Sequence, residues 1–219
     1  LIAGATGSGK SVIINALIYT AIMHQCPGNV EFILIDPKRV ELSPYKTLPH
    51  TLKYASEPTE MIQALTYAIQ ITESRYKEME KAGQRFYTGG AVYVVIDELA
   101  DLMTTNKRDV QPLLQRLCQI GRAANIHVIA ATQCPLREVI PTAIKVNFDS
   151  RVGLRTRSPQ DSRNILGVNG CETLPRYGQG YYMKPEGLTL YNIPMIADTD
   201  LNNMITFWKK QKKRSLFHR

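Results

Sequence analysis

Residues Gly4-Ala5-Thr6-Gly7-Ser8-Gly9-Lys10-Ser11 decide the fold of this chain. The stretch fits the pattern G-x-x-x-x-G-K-[ST] in full. It follows a short apolar segment, Leu1-Ile2-Ala3, and precedes a helical apolar pattern that begins at Val12. A strand, a glycine-rich loop and a helix in this order are typical of a phosphate-binding loop. Backbone N–H groups of such a loop surround the phosphates, and the positive end of the helix points at them. The stretch therefore predicts a site for a nucleoside triphosphate.

The residues of this loop have distinct predicted roles. Lys10 is expected to reach the β- and γ-phosphates, and the Ser11 hydroxyl is expected to ligate Mg²⁺. The others are expected to hold the phosphates as a cradle; they are Gly4, Ala5, Thr6, Gly7, Ser8 and Gly9. A glycine-rich turn that binds no nucleotide is the alternative, and the flanking strand and helix patterns argue against it.

A second segment ends in two carboxylates. Residues 92–96 form a continuous apolar run of strand length, and Asp97 and Glu98 follow it directly. Such a run is typical of a buried parallel strand, and ligands of α/β sheets bind beyond the carboxyl ends of the strands. We expect Asp97 to hold Mg²⁺ through water, and Glu98 to orient and deprotonate the attacking water. The pair favours hydrolysis of ATP, with ATP and Mg²⁺ as cofactors, over a GTPase-like switch.

The remaining sequence alternates between strand and helix patterns. Strands are expected at 30–36, 92–97, 126–133 and 151–155, with a late hairpin at 180–183 and 189–195. Helices are expected at 12–25, 57–82 with Ser56 as the cap, 109–123 and 198–213, with another that begins at Ser158 and Pro159. Repeated β–α units predict an α/β fold, a RecA-like P-loop NTPase core with a mostly parallel sheet and helices on both faces. We assign residues 1–197 to this domain and 198–219 to a C-terminal helix and basic tail.

Composition limits the function classes that fit. A chain of 219 residues, 44% of them hydrophobic, can build one sizeable core. The formal net charge is +8, but six of the 27 Lys and Arg residues lie in 209–219, which contain no acid. The rest of the chain is close to neutral, so charge alone does not predict nucleic-acid binding. Cysteine and histidine spacing predicts no zinc site and favours a reducing, cytoplasmic setting. A membrane tether, if the full protein has one, is expected upstream of Leu1, where the first strand is also expected to begin.

A polar residue closes the strand that follows the Asp97 strand in the sequence. Some ATPases insert one strand between the strand of the phosphate loop and the strand of the two acids. In such proteins, a polar residue at the end of the inserted strand senses the γ-phosphate. Gln133 is the candidate for this role, and an ordinary polar strand end is the alternative.

Further segments resemble the FtsK/SpoIIIE family of DNA translocases, in family order. The most specific is Asp36-Pro37-Lys38-Arg39-Val40-Glu41-Leu42. The others are residues 95–102 (VIDELADL), 122–127 (RAANIH), 131–133 (ATQ), 147–151 (NFDSR) and 161–166 (DSRNIL). The resemblance implies a homo-oligomer, a hexameric ring motor that moves double-stranded DNA with ATP during chromosome or plasmid segregation. It also implies a P-loop ATPase in which several residues have transferable roles.

Three basic residues receive a role by this resemblance. Arg122 matches the family arginine that reaches the ATP site of the neighbouring subunit; an exposed charge near a helix end is the alternative. Lys145 and Arg163 match basic residues that contact DNA in the pore; solvated surface charge is their alternative. The chain departs from the family at Cys134, where Arg is common, and at Pro159, where Lys is common. These departures put the grip on DNA in doubt, and they leave the ATP site untouched.

Two other functions remain open at this point. A conjugative coupling ATPase would move single-stranded DNA, and a type VII secretion ATPase would move protein substrates on a similar core. A metabolic P-loop kinase fits less well, because Glu98 and the segment 36–42 have no evident role in one.

Overall fold

The computed structural model describes residues 1–136 and 139–216, with side chains as far as residue 211. Residues 217–219 of the predicted basic tail lie outside the described residues. Eight strands are described: β1 Ile2–Ala3, β2 Val30–Ile35, β3 Thr51–Ala55, β4 Ala91–Ile96, β5 Ile126–Thr132, β6 Arg151–Gly153, β7 Gln179–Lys184 and β8 Gly187–Asn192. Six α-helices accompany them: α1 Lys10–His24, α2 Pro58–Ala82, α3 Leu99–Ile120, α4 Thr142–Lys145, α5 Pro159–Leu166 and α6 Asp198–Leu216.

The strands form one sheet in the order β3-β2-β4-β5-β1-β6-β7-β8. All neighbours from β3 to β6 are parallel, and β7 and β8 add an antiparallel hairpin at one edge. β5 lies between β1 and β4, so one strand separates the phosphate-loop strand from the strand that ends before Asp97. The mostly parallel sheet and the hairpin confirm the predicted fold class.

Helices cover both faces of this sheet, because alternate strand residues point to opposite sides. In β2, Ile33 and Ile35 pack in a core with residues of α2 and α3. Phe32 and Leu34 pack on the other side, in a core with residues of α1 and α6. Every one of these four side chains is almost fully buried. α6 therefore shares the core of the main domain, while the proposed boundary before residue 198 stays a prediction.

Helices α2 and α3 begin differently from the sequence expectation. α2 begins at Pro58, one residue after the expected start, and Glu57 caps it in a reciprocal capping box with Glu60 in place of Ser56. A carboxylate can accept the N3 amide hydrogen as well as a hydroxyl can. α3 begins at Leu99, ten residues before the predicted start, and Asn106 interrupts it with non-helical backbone angles. The sequence patterns predicted neither β3 nor α4.

The fold places the functional edge of the sheet where parallel strands end. Ile35 of β2 is paired with Ile96 of β4, so the next residues, Asp36 and Asp97, lie side by side. β1 runs parallel to β5 and delivers the phosphate loop to the same edge. Within residues 1–136 and 139–216, no helix combines the length and the apolar character that are needed to cross a membrane.

Candidate nucleotide site

The phosphate loop has a backbone that requires its glycines. Gly7 and Gly9 have φ angles of 71° and 100°, values that side-chain-bearing residues rarely adopt. At Gly4, a Cβ atom would lie 2.5 Å from Ser8 Oγ and 2.7 Å from Leu154 Cβ, so no side chain fits. The loop is therefore fixed by local conformation and by close packing against the segment after β6.

The loop is open to an anion. The N-cap of α1 is Gly9, which has no side chain to cap the helix, so first-turn N–H groups stay available. Ser8 Oγ is buried, and no group in the described part of the chain forms a hydrogen bond with it. The residues present thus fit a nucleotide phosphate, which accepts hydrogen bonds and carries charge that the helix N-terminus favours. Ser11 lies half-buried in the same first turn.

Lys10 folds back over the loop. Its Nζ donates hydrogen bonds to the carbonyl oxygens of Gly4 at 2.7 Å and Ala5 at 3.0 Å. Burial lowers the pKa of Lys10 to about 8, against the opposing effect of the nearby Glu98 and Asp97 carboxylates. The amine stays mostly charged at neutral pH, and the polyanionic phosphates would give it a stronger partner than two carbonyls.

Asp97 lies in a strongly acidic environment. Burial raises the pKa of Asp97 to about 7, and the neighbouring carboxylates of Asp36, Glu41 and Glu98 raise it further, while Lys38 opposes them. A divalent cation would stabilise the charged form of this carboxylate, because its positive charge offsets the repulsion from the neighbouring carboxylates. Asp97 and the Ser11 hydroxyl offer oxygen ligands, the kind that Mg²⁺ prefers.

Glu98 is held by backbone donors from the end of β5 and the first turn of α3. Both of its carboxylate oxygens accept hydrogen bonds from the Gln133 N–H at 3.1 Å, and Oε1 also accepts one from the Ala100 N–H at 3.3 Å. The Gln133 side chain in turn accepts a 2.7 Å hydrogen bond from the Thr6 hydroxyl. The structure therefore brings together the phosphate loop, Glu98 and Gln133, and their roles in hydrolysis stay predictions.

Arg122 is exposed and lies in the turn before β5, at the end of the sheet opposite to the phosphate loop. β5 has seven residues, and at about 3.3 Å per residue its two ends are roughly 20 Å apart. Arg122 therefore cannot serve the site of its own chain. Its turn is held firmly, because the Arg75 guanidinium donates hydrogen bonds to the carbonyls of Ala124 at 2.8 Å and Asn125 at 3.1 Å.

The two predicted DNA contacts have different surroundings. Lys145 is 8% exposed, and its Nζ donates a 3.2 Å hydrogen bond to the Asn164 carbonyl oxygen. Arg163 is exposed, and its guanidinium donates to Asn169 Oδ1 at 2.6 Å and Gln160 Oε1 at 2.9 Å. Only Arg163 presents its charge at the surface, and contact with DNA stays a prediction for both residues.

Sequence reasoning missed two basic residues near the loop. Lys38 Nζ lies 3.8 Å from Glu98 Oε2 and 3.5 Å from Asp101 Oδ2. The segment around Lys38 was used for recognition, but no role was assigned to the residue. A Cβ on Gly7 would lie 3.4 Å from an Arg176 guanidinium nitrogen, so Arg176 borders the loop in the same chain. No sequence pattern indicated Arg176.

Comparison with known sequences identifies the family. The profile of the FtsK/SpoIIIE family matches residues 1–91 and 90–137. The chain belongs to the FtsK/SpoIIIE family. It is 36% identical to the DNA translocase FtsK of Rhizobium meliloti (strain 1021), over 96% of this chain and 29% of that protein. It is 34% identical to the DNA translocase FtsK of Rickettsia bellii (strain RML369-C), over 96% of this chain and 34% of that protein. The chain thus spans about a third of the length of these relatives.

Solved structures of similar fold are also P-loop ATPases. The conjugation coupling protein TcpA of pCW3, in a monomer form with ATPγS, has a TM-score of 0.80 at 21% identity; 94% of this chain and 64% of TcpA are covered. The cytoplasmic domain of the type VII secretion ATPase EccC of Thermomonospora curvata has a TM-score of 0.77 at 23% identity; the match covers 90% of this chain and 25% of EccC. These likenesses confirm the fold. Together with the family, they identify a P-loop ATPase domain of the FtsK/SpoIIIE family.

Proposed function

We propose that this chain is the motor domain of an ATP-driven translocase of double-stranded DNA. The observation that carries the proposal is the chain of hydrogen bonds from Thr6 through Gln133 to Glu98. It joins the loop that would hold the nucleotide to the carboxylate that would activate water. Membership of the FtsK/SpoIIIE family supports DNA as the substrate to be moved, in chromosome or plasmid segregation.

Hydrolysis would use the groups that meet at the sheet edge. The loop and Lys10 bind the triphosphate, and Lys10 exchanges its two carbonyl partners for phosphate oxygens. Ser11 and Asp97 would hold Mg²⁺, which neutralises phosphate charge when bound. Glu98 accepts a proton from the water that attacks the γ-phosphorus, and the bond from that phosphorus to the bridging oxygen breaks to release ADP and phosphate. Gln133 would sense the γ-phosphate. Its side chain is hydrogen-bonded to Thr6 of the phosphate loop and its backbone N–H to Glu98, so a change at the loop would be passed to the catalytic carboxylate.

The proposed motor is a homo-oligomeric ring, and we infer that it is hexameric. Arg122 lies too far from the loop of its own chain to act there, which supports a role at the site of the adjacent subunit. A guanidinium supplied in trans can raise turnover by about 10³–10⁵. The hydrogen bonds from Arg75 fix the turn that carries Arg122. The Arg122 side chain (the arginine finger) would therefore extend into the neighbouring site from a well-ordered turn.

Coupling to DNA would pass from Gln133 to the helices α4 and α5. Lys145, at the end of α4, binds the Asn164 carbonyl of α5. Arg151 adds a second link, since its guanidinium donates to the carbonyls of Lys145 at 2.9 Å and Ile165 at 3.2 Å. These links join α4 to α5, so we infer that a shift passed from β5 to α4 would move both helices together. Arg163 would touch the DNA backbone directly, and Lys145 would reach it after its bond to Asn164 opens.

One assay separates this function from its rivals. ATP turnover should be measured with Mg²⁺ and duplex DNA, single-stranded DNA, a secretion-signal peptide, or no addition. We expect duplex DNA to give the largest stimulation, and we expect its affinity to fall steeply between about 50 and 200 mM salt. Stimulation by single strands alone would favour a conjugative coupling role, and stimulation by the peptide alone would favour protein export.

The control for this assay is Glu98→Gln, which should retain nucleotide and show no stimulated turnover. Hydrolysis in this variant at the wild-type rate would mean that the measured activity does not come from the proposed site. The cytoplasmic setting that we propose follows from the motor role, because both ATP and DNA are available there.

A further inference from the structure

The segment from Asp36 to Leu42 forms a fixed loop beside the catalytic carboxylates. Asp36 is fully buried; its Oδ1 accepts a hydrogen bond from the Val40 N–H at 3.3 Å, and its Oδ2 accepts one from the Leu42 N–H at 3.1 Å. The Tyr54 hydroxyl donates another to Oδ2 at 3.2 Å. One side chain thus ties both ends of the loop and an adjacent strand, so the residues between them have a defined place.

Lys38 stands between these ends and reaches the catalytic acid. Its Nζ lies 3.8 Å from Glu98 Oε2 and 3.5 Å from Asp101 Oδ2, and it is the only cation within ion-pair distance of Glu98 in the described part of the chain. The Glu98 side chain is 3% exposed, while the Lys38 side chain is 45% exposed. A buried carboxylate is costly without a paired charge, so the half-exposed Lys38 affects Glu98 more than it would affect an exposed carboxylate.

We propose that Lys38 is a positioning residue that fixes the orientation of the Glu98 carboxylate for water activation. The inference deepens the proposed hydrolysis and rests on it. The N–H groups of Gln133 and Ala100 hold the same carboxylate, and both donors are uncharged backbone groups. Lys38 adds a charged contact on Oε2. The carboxylate of Asp101, which is more exposed than that of Glu98, also pairs with the Lys38 ammonium and helps to hold it at this position.

This role predicts an effect on chemistry and little effect on nucleotide binding. If the Glu98 carboxylate shifts by a small distance, it loses its alignment with the attacking water. The loop that holds the phosphates stays intact. Among the described residues, the ion pairs of Lys38 are with Glu98 and Asp101, outside the phosphate loop, so its loss should leave the loop as it is. The turnover number should fall, and KM should stay near its wild-type value.

The experiment compares three variants of the whole chain with wild type, in Mg²⁺ and duplex DNA. Lys38→Met removes the charge and keeps the length of the side chain, Lys38→Arg keeps the charge, and Arg39→Met is the matched control. Arg39 is the adjacent residue of the same loop, and it pairs with Glu57, outside the catalytic groups. ATP turnover gives kcat and KM, and ATPγS titration gives Kd.

For Lys38→Met we expect kcat to fall by about ten- to hundredfold, with KM and the ATPγS Kd within about threefold of wild type. Lys38→Arg should recover most of the loss, and Arg39→Met should stay within about twofold of wild type, since a surface ion pair contributes little. An unchanged kcat in Lys38→Met would overturn the inference.

Two other outcomes would also overturn it. A Kd for ATPγS that rises in proportion to the fall in kcat would make Lys38 a nucleotide contact. An equal loss in Arg39→Met would make the effect a general disturbance of the loop. Failure of the proposed function looks different, because it would appear as absent hydrolysis in wild type, and it would remove this inference as well.

Discussion

Asp97→Asn should stabilise the folded protein at high pH and weaken its response to Mg²⁺. Burial, together with the carboxylates of Asp36, Glu41 and Glu98, raises the pKa of Asp97 from 3.8 to about 7. The folded state therefore binds more protons than the unfolded state between these two values. Stability falls as pH rises through this window, and above pH 7 the full penalty remains.

The magnitude follows from the size of that shift. Each pKa unit corresponds to about 1.4 kcal/mol, so the upper limit is about 4 kcal/mol. Asp97 is buried, with 9% of its surface exposed, and relaxation of the surroundings with some entry of water reduces the effect to about 1–3 kcal/mol. For a domain of this size, 1 kcal/mol shifts the melting temperature by about 2–4 °C, so the variant should gain about 2–12 °C at pH 8.

The assay is thermal unfolding followed by circular dichroism at pH 5, 6, 7 and 8, with EDTA to remove metal. The gain should be largest at pH 8 and should shrink steadily toward pH 5. Asp109→Asn, at an exposed position on α3, is the control and should show no such trend. Mg²⁺ with ATPγS should then raise the melting temperature of wild type more than that of Asp97→Asn. A gain that is equal at pH 5 and pH 8, or a loss at pH 8, would refute the reasoning.

Three further predictions concern the same site. Glu98→Gln should bind ATPγS like wild type, while its turnover falls by about 10²–10⁴ because the water-activating base is lost; a comparable loss of binding in a filter assay would contradict this role. Gly4→Ala should lower the free energy of unfolding by about 1–3 kcal/mol in urea, since its Cβ would lie 2.5 Å from Ser8 Oγ; unchanged stability would mean that the loop can move aside. Chains with Arg122→Ala mixed with chains carrying Lys10→Ala should regain part of the ATPase activity that each lacks alone, because a finger supplied in trans completes the intact loop; no recovery at any mixing ratio would exclude that arrangement.

The local parts of the site could be predicted because each is written in a few consecutive residues. The phosphate loop needs glycines at Gly7 and Gly9 for its backbone and Lys10 directly after them, so the spacing alone identifies it. Asp97 and Glu98 follow a strand that is apolar on both faces, and that pattern places them at the sheet edge. The parallel sheet followed from the same alternation of strands and helices.

The rest depended on contacts between distant segments. Lys38 meets Glu98 because β2 and β4 are neighbours in a fixed register, and neither strand alone contains that information. Lys145 matched a surface contact by motif, yet packing of α4 against α5 buries it beside Asn164. The first half of α3 was not predicted, because Asn106 interrupts the helical pattern between the acids and residue 109.

The pairing of Ile35 with Ile96 has a consequence for whether the nucleotide binds as the free triphosphate or as its magnesium complex. The pairing places Asp36 and Asp97 next to each other, and the carboxylates of Glu41 and Glu98 lie nearby. The nearby cations are Lys10 and Lys38, so the acidic groups outnumber the basic ones. An uncomplexed triphosphate, itself a polyanion, meets repulsion on arrival, whereas its magnesium complex brings the missing countercharge. Because of this sheet register, we expect the domain to bind the magnesium complex of the nucleotide in preference to the free triphosphate.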